Sequence, residues 1–125
     1  LEVWNCESIY TDFLTGVSAM DEELAFTDIQ EDLSNVDIEA GVGSVYTTFI
    51  WQGTEYKLTS LYDYDWFDTT AIQQLGNIVN HGDQKLYVSY MDEYGALLYY
   101  GTQKQVRKLE RLTGMDFKKA TAFSW

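Results

Sequence analysis

Three aspartates crowd one short stretch, "SLYDYDWFDTT" at residues 60–70, with Tyr62, Tyr64, Trp66 and Phe67 set among them and no positive charge. Carboxylates at this spacing suggest a cation loop, a catalytic acid–base pair, or a lure for a basic partner. A calcium loop of the EF type wants oxygen ligands at its positions 1, 3 and 5, glycine at 6 and glutamate at 12. Counted from Asp63, position 5 is Phe67, position 6 is Asp68 and position 12 is Gln74, so the motif fails and no metal is expected. Glycosidase-type chemistry needs two carboxyls held a defined distance apart in a cleft, and so short a chain offers little wall for one. The structural reading is simpler. Asp68 N-caps a helix, while Asp63 and Asp65 alternate outward as Tyr62, Tyr64 and Trp66 take the other face. What remains is an exposed acidic turn beside amphipathic aromatics, the composition of recognition surfaces.

Cys6 and His81, each the only residue of its kind, define a second candidate chemistry. A thiol near a helix N-terminus, paired with a histidine that Asp83 or Asp92 orients, would make a small Cys–His hydrolase. Against it, Cys6 shares a stripe with Ile9, Tyr10 and Phe13, where cysteine behaves as a small buried hydrophobe. Glu2 and Glu7 nearby would raise its pKa rather than lower it. His81 precedes Gly82 in "NHGD", a natural helix end with Gly82 in the left-handed turn. No catalytic residue and no cofactor are therefore expected. The chain lacks a phosphate loop ("AGVGS" has neither the lysine nor the dinucleotide spacing), enough Cys and His for zinc, and a serine in a nucleophile elbow.

Charge narrows the partners. The chain has 125 residues and a net charge of −12, which argues against direct nucleic-acid binding and against anionic membranes. No run of residues is long and apolar enough for a membrane span, and a lone cysteine frees the fold from an oxidising compartment; a cytoplasmic location is expected. Residues 1–56 hold twelve acids and no Lys or Arg; residues 57–101 hold six acids against Lys57 and Lys85. Residues 102–125 reverse the balance, with six bases against Glu110 and Asp116. Such polarity predicts a non-enzymatic acidic protein that binds a basic protein partner, in its sharpest form an inhibitor mimicking nucleic-acid phosphates. Asp21, Glu22, Glu23, Glu31, Asp32, Asp63, Tyr64, Asp65 and Trp66 are the candidate contacts. The alternatives are the Cys6–His81 hydrolase and a self-assembling domain whose acidic half meets the basic C-terminal helix of another copy.

The elements that must position these residues follow from periodicity. Cys6, Ile9, Tyr10, Phe13 and Leu14 recur at helical spacing up to Gly16, and "TDIQ" reads as a capping box opening a short helix near Thr27. Residues 40–44 read as a loop. "VYTTFIWQ" and "EYKLTSLY" alternate around "QGTE" as one hairpin, and "KLYVSYMD" and "ALLYYG" form a second. A helix over 68–80 turns Ile72, Leu75, Ile78 and Val79 inward. Another over 102–113 is capped by Thr102 with Gln105, lined by Val106, Leu109 and Leu112, and stopped by Gly114; the tail "KKATAFSW" suggests a last strand. The expected fold is α+β and a single domain over 1–125. Residues 1–44 form an acidic helical segment, and residues 45–125 form a ββα-ββα core in which both hairpins share one antiparallel sheet with helices on one face.

Overall fold

The computed structural model describes residues 8–64, 66–92 and 95–121. Its class is α+β, with three helices and two antiparallel sheets, and strands dominate. Contacts divide the chain into two compact units, Leu1–Ala71 and Ile72–Trp125.

In the first unit, α1 (Ile9–Ser18) leads through a 3-10 turn (Glu22–Leu24) to β1 (Thr27–Asp32), β2 (Val36–Asp37), β3 (Val42–Trp51) and β4 (Thr54–Leu61). The β3–β4 hairpin forms where alternation predicts it, paired from Ser44↔Leu61 to Trp51↔Thr54. Its two-residue turn places Gln52 and Gly53 at φ 51° and 79°, the positive values that match the twist of the flanking strands. β1 and β2 run in succession along the other edge of β3. Inward residues of β3 and β4 (Val45, Phe49, Trp51, Leu58) meet Tyr10, Leu14, Leu24 and Phe26 in the core. Ring contacts bind the layers, with Phe26–Phe49 centroids at 4.9 Å and Tyr10–Phe67 at 5.1 Å.

Three expectations for residues 1–44 are corrected. Thr27–Asp32 is a strand, not a helix opened by a capping box. Pairing with β3 from Gln30↔Thr48 to Asp32↔Tyr46 supplies backbone bonds that a short helix could not better, and Asp28 at φ 51° bulges the strand start out of helical geometry. The segment is thus only partly helical. Gly16 does not stop α1, because the helix continues until Val17 is buried beside Leu14.

In the second unit, β5 (Gln84–Asp92) pairs with β6 (Gly95–Thr102) and with β7 (Lys118–Lys119), the last strand that the tail predicts. The sequence expectation that both hairpins share one sheet is corrected: they lie in two. β3 has one edge on β4 and the other on β1 and β2, while β5 is flanked by β6 and β7, so each hairpin nucleates its own sheet. α2 (Thr70–Val79), whose first two residues belong to the first unit, buries Ala71, Ile72, Leu75 and Val79, and Gly76 lets it approach the Ala120 backbone where a Cβ would clash. α3 (Gln103–Thr113) begins with the full Thr102–Gln105 capping box and ends at Gly114, φ 73°. Val106 packs with Tyr87 and Phe117, ringed by Tyr99, Leu109 and Met115. Leu112, expected inward, is 74 % exposed. Met115 and Phe117 fill the seat instead, since Glu110 Oε2 accepts the Phe117 amide at 3.0 Å and folds the chain back. His81 is exposed in the turn after α2, and Gly82 does not take the left-handed conformation expected of it, the turn closing through His81 N–H to the Val79 carbonyl at 3.0 Å.

Candidate functional site

The opening aspartate stretch folds as a turn, and that turn walls a groove. The groove holds about 440 Å³ and is lined by Val42, Gly43, Leu61, Tyr62, Asp63, Trp66, Phe67 and Asp68. Each wall has a cause. The Tyr62 amide donates to the Gly43 carbonyl at 2.9 Å, extending the β3–β4 ladder past Leu61. The chain then reverses between Asp63 and Trp66, which form an isolated antiparallel bridge, with Trp66 N–H to the Asp63 carbonyl at 2.9 Å and Tyr64 at φ 51°. Asp68 ties the far side. Its Oδ2 accepts the Leu61 amide at 2.8 Å, and its Oδ1 accepts the Thr70 amide and hydroxyl at 3.0 and 2.8 Å at the start of α2. The helix-capping role expected of Asp68 is thus met, and the same carboxylate pins the end of β4.

Tyr64 secures the neighbouring loop. Its hydroxyl donates to the Glu39 carbonyl at 2.9 Å and its ring lies over Gly41, where a Cβ would overlap it. The expected facing of this stretch is corrected. Tyr62 is buried, but Tyr64 (46 % exposed) and Trp66 (37 %) face outward with Asp63, because a reversal replaces strand alternation. Ile38 (58 %), Val42 (57 %) and Leu61 (69 %) are exposed as well, and Val42, Leu61 and Trp66 line the groove as an apolar rim. Asp65 lies outside the described residues.

The other candidate acids separate by use. Glu31 reaches from β1 to the start of α1, where Oε1 accepts the Tyr10 amide at 3.1 Å, the Thr11 amide at 2.8 Å and the Thr11 hydroxyl at 2.9 Å. It supplies the N-terminal cap that Ser8 does not. Burial pushes its carboxyl above the ordinary value, outweighing the hydrogen bonds that pull it down. Asp32 accepts the Ser34 amide at 2.8 Å in the turn to β2, and bonds from Ser34 hold its pKa low. Asp21 caps the 3-10 turn through the Glu23 amide at 2.9 Å. Glu22 and Glu23 are exposed there, while the Glu23 carbonyl accepts Trp51 Nε1 at 2.7 Å. The structure therefore brings Asp63 and Trp66 together at the groove, leaves Tyr64 against the neighbouring loop, and puts Glu31, Asp32 and Asp21 to work holding the fold.

Sequence reasoning missed Val42, Leu61 and Phe67. The available signal was an apolar residue on the outward phase of an alternating strand, as at Val42 and Leu61. Among the described residues no three His, Cys, Asp or Glu side chains gather as a metal site. Cys6, one half of the hydrolase alternative, lies outside the described residues. No described helix is long and apolar enough to cross a membrane. Comparisons with protein-family models, with curated proteins and with solved structures find no match to this chain, so its own geometry is what speaks to function.

Proposed function

We propose that this chain is a non-enzymatic binding protein whose first unit docks a basic protein segment at the groove of β3, β4 and the 63–66 turn. One observation supports this reading above the others. An open apolar groove, rimmed by Trp66, Leu61 and Val42, lies in a unit that holds fifteen acids against the single base Lys57. A segment carrying one large apolar side chain flanked by Lys or Arg complements it, the apolar group seated against Trp66 and Phe67 and a cation set against Asp63. Aromatic anchors of this kind supply most of the affinity at protein interfaces, while surrounding charge sets encounter rate and specificity.

A phosphate-mimicking inhibitor of a nucleic-acid-binding protein is the sharper form of the same proposal. Its partner would be basic for the same electrostatic reason. The acids engaged at Glu31, Asp32, Asp21 and Asp68 favour the groove-centred form over a continuous phosphate-like array.

The test is partner capture from the native source at low and high salt, with a variant reversed at Glu22, Glu23 and Asp63 alongside. Capture of a basic protein that is lost at high salt and in the variant is the expected result. Equal capture by the variant, or no basic protein at low salt, would end the proposal.

A further inference from the structure

The second unit carries a cleft of opposite sign. It holds about 530 Å³ and is lined by Lys85, Lys104 and Lys119, with Tyr87, Thr102 and Asp83 among its other walls. Strand register places the lysines there. Lys85 and Tyr87 are two apart on β5 and so share a face, and Lys119 of β7 stands directly opposite Tyr87. The Thr102–Gln105 capping box fixes where α3 begins, which sets Lys104 in its first turn. Tyr87 is packed beneath with Val106 and Phe117, so the floor is rigid.

We propose that this cleft is a binding site for a small phosphate-bearing anion. The warrant is charge left uncompensated. Three of the chain's eight bases line one cleft, against the single carboxylate of Asp83 among the described residues. Arg107, elsewhere in the unit, is paired with Glu110. Lys85 Nζ donates to the Gly82 carbonyl at 3.0 Å, which holds one ammonium at the wall without neutralising it. Like charges brought together oppose folding, and a dianion relieves that repulsion. The local excess is two positive charges, which matches a phosphate or pyrophosphate better than a single carboxylate. Lysine serves such groups as a point charge, and the volume admits more than one phosphate group. The chain's net negative charge does not forbid it, because the unit that carries the cleft holds seven bases against five acids.

The experiment is titration of the whole chain with inorganic pyrophosphate, followed by amide resonances in two-dimensional NMR. Saturable shifts are expected around Lys85–Tyr87 and Thr102–Gln105, with affinity at least tenfold weaker in the double variant Lys104→Gln, Lys119→Gln. The Asp83→Asn variant should bind several-fold tighter, a gain that a merely structural role would not produce. Absence of saturable shifts, or undiminished binding in the lysine variant, would overturn the proposal. So would a mass above monomer that the lysine variant abolishes while pyrophosphate leaves the spectrum unchanged, since the lysines would then answer the acids of a second copy.

Discussion

The two units handle charge in opposite ways. Leu1–Ala71 holds fifteen acids against Lys57, a net of −14, while Ile72–Trp125 holds five acids against seven bases, a net of +2. In the first unit much of the acid chemistry is structural. Glu31 caps α1 from β1, Asp21 and Asp32 close turns, and Asp68 ties Leu61 at the end of β4 to Thr70. In the second unit the capping is done by neutral groups, Thr102 and Gln105, and lysines are left at a cleft. A count of acids therefore overstates what is available for binding. Under the proposed function, what remains for a partner is the rest of the acids, of which Asp63 stands at the groove with Trp66 and Leu61.

The largest expected effect breaks the structural half of that contrast. Glu31→Ala leaves the Tyr10 and Thr11 amides and the Thr11 hydroxyl without their acceptor, and should lower stability by about 2–3 kcal/mol in urea unfolding. Glu31→Gln keeps an acceptor and should cost less than half as much. Burial raises the Glu31 carboxyl, so its ionisation opposes folding. Its share of stability is full below the ordinary carboxyl value and is lost as pH rises through the raised one; the Gln variant should lack that loss.

Tyr10 gives the next effect. Burial pushes its phenol up to about 12, and its hydroxyl oxygen accepts the Asp68 amide at 2.9 Å. Stability tied to this group is intact below pH 10, the ordinary value, and falls as pH rises toward 12. With allowance for solvent screening, about 1–2 kcal/mol should be lost over that window in the wild type and spared in Tyr10→Phe, as alkaline unfolding curves would show.

In the second unit, Thr102→Ala removes one half of the capping box and should cost about 1 kcal/mol, with amide exchange quickened first in the opening turn of α3. The smallest effect should come from reversing Glu22, Glu23 and Asp63, all exposed. Each change should alter stability by no more than about 0.5 kcal/mol, and a thermal melt that collapses instead would mean these acids are structural after all.

How much of this was legible in the sequence follows the range of the interactions. Both hairpins, the Thr102–Gln105 box and the Gly114 stop rest on neighbours a few residues apart, and periodicity and turn chemistry reveal them. Thr27–Asp32 looks like a capped helix because its strand partner lies some twenty residues on, in β3. The role of Glu31 is hidden for the same reason, the amides that donate to it lying 20 and 21 residues away. The separation into two sheets depends on which edges are already taken, which no local pattern records. Of the candidate site, the aromatic–acidic turn could be read directly, but its groove could not. Val42 and Leu61 come to Trp66 only through the Ser44↔Leu61 register and the reversal at Tyr64.

If the first unit binds as proposed, acids attract the partner and aromatics hold it. The most direct measurement is the association and dissociation kinetics of the captured partner against wild type, Trp66→Ala and the Glu22, Glu23, Asp63 reversal, across a salt series. Reversal should slow association and flatten its salt dependence, while Trp66→Ala should leave association alone and speed dissociation at least tenfold. Association that ignores both salt and reversal, or dissociation unmoved by loss of Trp66, would contradict the proposal.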